Sequence, residues 1–143
     1  MSEARDLAQA HYQAFNERDF SRAKDIYSPD VVTVEPGSGR IDGLDAFLAH
    51  TQVFLTAFPD AHLDMLTLTD GQHRVVIEGT FAGTHTGPLP SPGGELPPTG
   101  RSLRLAICDV WEVEAGRVSR HHVYYDQMSF LTQLGLIPET APA

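Results

Sequence analysis

The chain switches its hydrophobic period near residue 60, and that switch limits the folds open to it more than any other feature. Before it, Gly43–Phe58 carries Leu44, Phe47, Leu48, Thr51, Phe54, Leu55 and Phe58 at i, i+3, i+4, i+7 spacing. That is one unbroken apolar stripe on a helix, which Pro59 terminates. After it, His62–Thr69, Arg74–Thr86, Leu103–Val113 and Arg117–Asp126 read as strands with a period of two. A stripe that wide needs a broad apolar partner, and the strands offer a sheet face.

The remaining segments fit around this core. Residues 3–17 read as a helix with Ala4, Leu7, Ala8, His11, Ala14 and Phe15 at helical spacing and Ser2 as N-cap. Asn16–Asp19 breaks it, and Phe20, Ala23, Ile26 and Tyr27 mark a shorter helix stopped by Ser28-Pro29-Asp30. The β-branched run Val31–Glu35 reads as a strand closed by Pro36-Gly37-Ser38-Gly39. Asp70-Gly71 opens one hairpin turn, and Glu114-Ala115-Gly116 forms another. Pro88–Gly100, with five prolines and three glycines and a Ser91-Pro92-Gly93-Gly94 tip, predicts a lid over a site. Met128–Leu134 reads as a terminal helix ended by Gly135 and Pro138, with Glu139–Ala143 as a tail. The order α-α-β-α-β-β-β-β predicts one α+β domain over residues 1–143, its helices against one face of an antiparallel sheet.

Charge narrows the partners. Nineteen Asp and Glu against ten Lys and Arg give a net charge of −9, a field that repels phosphate backbones and anionic lipid. No apolar run reaches the roughly 18–20 residues of a membrane helix. MSEARDLAQA lacks the basic and apolar regions of a signal peptide. Cys108 is the only cysteine, which excludes an internal disulfide and a zinc knuckle. Seven histidines occur without HxH or HExxH spacing, so no metal site is expected. Gly37–Gly43 has one residue too many for a dinucleotide loop, and GxSxG is absent. A cytoplasmic protein that binds a small hydrophobic molecule without a cofactor is the expectation.

Several segments resemble one family. Ala14-Phe15-Asn16, Tyr27-Ser28-Pro29-Asp30, Gly83-Thr84-His85-Thr86-Gly87, Pro97-Pro98-Thr99-Gly100-Arg101 and Gln133-Leu134-Gly135 are together similar to the SnoaL-like polyketide cyclases, within the nuclear-transport-factor-2-like superfamily. The resemblance spans nearly the whole chain. It implies a cone, in which a curved antiparallel sheet and three N-terminal helices enclose a deep apolar pocket. It also implies dimers formed through the outer sheet face, where Val110, Glu112, His122 and Tyr124 fall. The superfamily hosts many chemistries on one scaffold, so function has to be argued from the site.

Alternation puts Ser119, His121, Val123 and Tyr125 on one face of the last strand, and the resemblance turns that face inward. A three-residue turn at Glu114–Gly116 pairs Val113 with Arg117, Trp111 with Ser119, Asp109 with His121 and Ile107 with Val123. Directly opposed Cβ atoms lie about 5 Å apart, so Asp109 reaches the His121 imidazole. A two-residue turn shifts the register by one and separates them. Such a dyad suits a general base, the carboxylate fixing the tautomer; the alternative is a structural pair bridging two strands. The family's catalytic Asp, two residues after the matching His, is replaced by Val123, and Asp126 matches a second family acid on the other face. Tyr12, Phe15, Thr33, Phe54, His85, Ile107, Trp111, Val123 and Tyr125 are the candidate substrate-binding residues. Glu35 shares a face of the first strand with Thr33 and is either pocket-facing or, the preferred reading, exposed before the turn; His85 is read as a strand-end residue bonding a loop carbonyl; and of His11 and Tyr12 one can reach the pocket, although a rim His and a packed Tyr account for both. The function expected is a cofactor-independent cyclase, isomerase or dehydratase acting on a polyketide-like carbonyl compound. The alternative is a non-catalytic binding module with the same pocket.

Overall fold

The computed structural model describes residues 3–91 and 93–137. Ser2, Pro138 and the Glu139–Ala143 tail lie outside them, as does Pro92 of the predicted lid tip. Helix α1 (Glu3–Glu17) buries Ala4, Ala8, Tyr12, Ala14 and Phe15, a stripe at the predicted spacing. Beyond it, Asn16 completes the edge of the sheet. Its side chain donates to the Leu63 carbonyl and accepts from the Leu63 N–H, both at 2.8 Å. A 3₁₀ turn (Phe20–Arg22) and α2 (Ala23–Ile26) lead into β1 (Tyr27–Glu35), which starts four residues earlier than expected. A short strand β2 (Gly39–Asp42), absent from the sequence reading, folds back on β1. Helix α3 (Leu44–Ala57) follows, then β3 (His62–Asp70), β4 (Arg74–Thr84), β7 (Ser102–Glu114) and β8 (Arg117–Tyr124), and finally α4 (Gln127–Gln133).

The sheet order is β2-β1-β8-β7-β4-β3. Every neighbouring pair is antiparallel except β1 and β8, which run parallel with Thr33 beside His121. The sheet is therefore mixed, which corrects the purely antiparallel expectation. A parallel pair needs a long crossover, and here most of the chain provides it. The three N-terminal helices and this curved sheet form the α+β cone, with α3 lying across the inner face.

The Pro88–Gly100 segment departs from a loop. It forms a two-stranded hairpin, β5 (Leu89–Ser91) with β6 (Gly94–Leu96), and its Leu89 is buried. The hairpin hangs from the end of α3, where the N–H groups of Thr86 and Gly87 both reach the Ala57 carbonyl at 3.1 Å. Gly87 permits that approach, since a Cβ there would sit 1.9 Å from the Thr56 carbonyl oxygen. Helix α4 ends at Gly135 as predicted, and it starts on a cap that the sequence reading did not name. Asp126 caps its start by accepting from the Met128 and Ser129 N–H groups, and Gly135 at φ 73° closes its end.

Candidate active site

The hairpin joining β7 and β8 decides whether a dyad exists, and it does so differently from the sequence reading. The turn has two residues, Ala115 and Gly116, both at positive φ, so Glu114 pairs with Arg117 and Val113 with Val118. That register alone would put Asp109 and His121 on opposite faces. A bulge at Ser119 restores the phase: Glu112 faces Arg120, and the Ser119 hydroxyl donates to the Glu112 carbonyl. Trp111 consequently lies opposite His121, and Asp109 opposite Val123, which corrects the predicted pairs by two residues. Asp109 is thus a diagonal neighbour of His121 on the same face, and diagonal neighbours remain within reach of long side chains.

The dyad is formed. His121 Nε2 lies 2.9 Å from Asp109 Oδ1, with both side chains almost fully buried. A carboxylate only accepts, so Nε2 carries the hydrogen, and in the neutral ring Nδ1 then holds the lone pair. Nδ1 is buried and has no protein partner. The other carboxylate oxygen, Oδ2, accepts from the Tyr12 hydroxyl at 2.9 Å. Burial beside Asp109 pushes the Tyr12 phenol well above its ordinary range, so it stays a donor. Gly79 on β4 makes this reach possible: a Cβ there would lie 2.9 Å from the Tyr12 oxygen and 2.5 Å from the Asp64 carbonyl oxygen.

The dyad opens onto a cavity of about 140 Å³. Its walls are mostly apolar, built from Phe15, Phe47, Phe54, Phe81, Ile107 and Phe130 among others. Of the candidates, His121, Asp109, Phe15, Thr33, Phe54, Ile107, Val123 and Tyr125 line it. Tyr12, His85 and Trp111 do not. Tyr12 stands behind Asp109, and Trp111 behind His121 with ring centroids 5.2 Å apart, because the strands' inner layer is filled there by the helix α1 side chains. His85 is fully buried away from the cavity. Its Nδ1 accepts from the Thr99 N–H at 3.2 Å and meets the Thr99 hydroxyl at 3.0 Å, and a hydrogen-bonding interaction with the Gly87 backbone opposes the lowering of its pKa by burial. No described residue of Pro88–Gly100 lines the cavity.

Three residues outside the candidate set are part of the site, and of these only His50 went unconsidered in the sequence reading. His11 lines the cavity beside the dyad, bonded through Nδ1 to the Tyr27 hydroxyl and 5.9 Å from the His121 ring centre. Burial, reinforced by His121, lowers its pKa to about 3, so it is neutral at working pH. Glu35, expected to be exposed, is buried and faces the cavity with His50 of α3. The i, i+3, i+7 relation of Phe47, His50 and Phe54 on α3 was the one available signal for His50. For Glu35 the signal was alternation, which puts it on the strand face of Thr33.

Polar atoms therefore sit at two places on an apolar wall. Thr33 Oγ1, next to His121 in the parallel ladder, is buried and unpartnered. Among the described residues no group of three or more His, Cys, Asp or Glu side chains is arranged to hold a metal ion. No described helix is long and apolar enough to cross a membrane.

A model of the SnoaL-like polyketide cyclase family matches residues 5–134. Among solved structures, the chain is similar to wild-type IdmH of Streptomyces antibioticus, a candidate polyketide cyclase, at 26% identity and a TM-score of 0.77, covering 92% of this chain and 98% of that one. A candidate polyketide cyclase of Xanthomonas campestris pv. campestris superposes at 25% identity and TM-score 0.79, with 92% and 96% coverage. AclR, a candidate hydroxylase of Streptomyces galilaeus, shares the fold at 24% identity and TM-score 0.78, with 95% and 98% coverage. No curated protein matches the sequence significantly.

Proposed function

Because the chain belongs to the SnoaL-like polyketide cyclase family, we propose that it is a cofactor-independent proton-transfer enzyme acting on a hydrophobic, cyclic or polyketide-like carbonyl compound. One observation carries the reading: the buried His121–Asp109 pair lines an apolar cavity, and the His121 Nδ1 has no hydrogen-bond partner among the described residues. In this reading Nδ1 removes a proton from the carbon next to the carbonyl. The electron pair moves into an enolate, whose oxygen accepts from the Thr33 hydroxyl. The imidazolium, with Asp109 facing its Nε2–H, returns the proton at a second position, giving isomerisation, or to a departing hydroxyl, giving dehydration. Where the enolate carbon attacks a second carbonyl, the product is a ring, with the proton ending on the new alkoxide.

Val123 is the departure from the family pattern, yet Asp109 stands directly across the ladder from it. The carboxylate is offered from β7 instead of β8 and acts on His121 rather than on substrate. Val123 also favours the second reading, a non-catalytic binder of the same ligand class. A homodimer through the outer sheet face, where Tyr124 is 51% exposed and stacks on His122, completes the proposal.

The test uses 2-tetralone, an apolar ketone with acidic α-hydrogens, and follows their exchange in D₂O by NMR. Wild-type protein should accelerate exchange. His121→Ala should abolish the acceleration and Asp109→Asn should reduce it by about 10²–10⁴, with circular dichroism unchanged. Full activity in His121→Ala would refute the base assignment; no acceleration by wild-type protein would favour the binder.

A further inference from the structure

The cavity has a second polar end, and its chemistry is distinct from that of the dyad. Glu35 is the buried carboxyl group there, 6% exposed, on a mostly apolar wall that it shares with His50 and Tyr125. One oxygen accepts from the Ser38 N–H, and the other accepts from the Tyr125 hydroxyl at 3.0 Å. The Pro36-Gly37-Ser38 turn passes close to this pair: a Cβ at Gly37 would lie 3.4 Å from the Tyr125 hydroxyl oxygen and 3.5 Å from Glu35 Oε1. Burial against Glu35 keeps the Tyr125 phenol un-ionised, its pKa being raised. His50 Nε2 faces Glu35 Oε1 across 3.6 Å, too far for a hydrogen bond.

An ionised carboxylate has about four acceptor positions, and the protein fills two of Glu35's. What lies between Glu35 and His50 is one free acceptor and one imidazole, both on the cavity wall. Desolvation lowers the His50 pKa, so the ring is a neutral donor or acceptor rather than a cation. A carbonyl has no hydrogen to give to Glu35, and an anionic group is repelled by it. A hydroxyl satisfies both sides, donating to Glu35 and exchanging a hydrogen bond with His50.

The sheet sets the spacing of the two ends. Continuing the β1–β8 register places Glu35 beside Val123, and Val123 lies opposite Asp109. These three residues form one row across neighbouring strands, which are about 4.8 Å apart, so the two carboxylate-bearing Cα atoms are separated by about 10 Å. Val123 is the bare apolar floor between them. We propose that Glu35, His50 and Tyr125 form a second binding point that takes a hydroxyl group on the far end of the ligand, so that the pocket selects hydroxylated carbonyl compounds about one fused bicycle long. This deepens the enzyme reading by naming its ligand class, but it stands on different residues.

The test compares two ketones that differ by one hydroxyl, 2-acetylnaphthalene and 6-acetyl-2-naphthol, by calorimetric titration. Wild-type protein should bind the naphthol roughly ten- to a hundredfold more tightly, the range for a hydrogen bond to a charged group. Glu35→Gln should reduce that advantage to below about threefold while leaving 2-acetylnaphthalene unchanged, and His50→Ala should reduce it in the same direction. His121→Ala should keep the advantage, so a failure of the proton-transfer reading leaves this result standing. Equal affinities in wild-type protein, no binding of the naphthol at millimolar concentration, or a full advantage retained in Glu35→Gln would overturn the proposal.

Discussion

Acidification should destabilise this protein through His11 before its carboxylates are titrated. In the folded chain His11 is held neutral with a pKa of about 3, against 6.5 when unfolded. The sign follows from linkage: between those values the unfolded chain binds a proton that the folded chain refuses, so stability is intact above about pH 6.5 and falls as the pH drops toward 3. At pH 5 the unfolded histidine lies 1.5 units below its pKa and the folded one is unprotonated, a difference of about 2 kcal/mol. His11 sits under α1 but its ring meets the cavity, so cavity solvent reduces the penalty to about 1–2 kcal/mol. The comparison that isolates it is His11→Gln, which can still accept from Tyr27 but does not titrate. Urea unfolding at pH 7.5 and pH 5 should lose about 1–2 kcal/mol more in wild-type protein than in the variant. The other histidines with lowered values, His50, His85 and His122, are common to both proteins and cancel. Identical pH dependence in the two proteins would refute the claim that His11 is buried as a neutral ring.

Two further substitutions test how the dyad is held. Tyr12→Phe removes the hydroxyl that donates to Asp109 Oδ2 and should cost about 1–3 kcal/mol in urea unfolding, the range for an orphaned buried acceptor. Its exchange rate on 2-tetralone should fall less than that of Asp109→Asn, because His121 keeps its own partner. Gly79→Ala puts a Cβ 2.5 Å from the Asp64 backbone oxygen and 2.9 Å from the Tyr12 hydroxyl, so strands β3 and β4 must part locally. A loss of about 1–3 kcal/mol is expected, and a melting temperature equal to wild type would contradict it.

Local pattern carried most of the architecture. The stripe in Gly43–Phe58, the Asp70-Gly71 and Ala115-Gly116 turns, and the Asp126 and Gly135 punctuation of α4 depend on residues within a few positions of each other. Their physical signals, namely period, capping and positive φ, are written in short windows. The same alternation identified the face shared by His121 and Val123, whereas Asp109 was reached through a three-residue turn that the structure does not have.

What alternation could not supply was register, because a period of two is unchanged by a shift of two. The turn took two residues instead of three, and the bulge at Ser119 then brought His121 back in phase, leaving the dyad diagonal rather than directly opposed. Nothing in the sequence around Ser119 marks a bulge: its hydroxyl bonds Glu112, seven residues away, only once the strands have paired. The parallel joining of β1 to β8, the cover that α3 gives to Glu35, and the reach of Tyr12 past Gly79 to Asp109 all join residues tens of positions apart. Those pairings are chosen by the packing of the whole chain. The sequence by itself determined the main helices and the long strands and which side chains share a face; only the tertiary structure decided the short strands β2, β5 and β6, which faces meet, and so which polar groups are buried together.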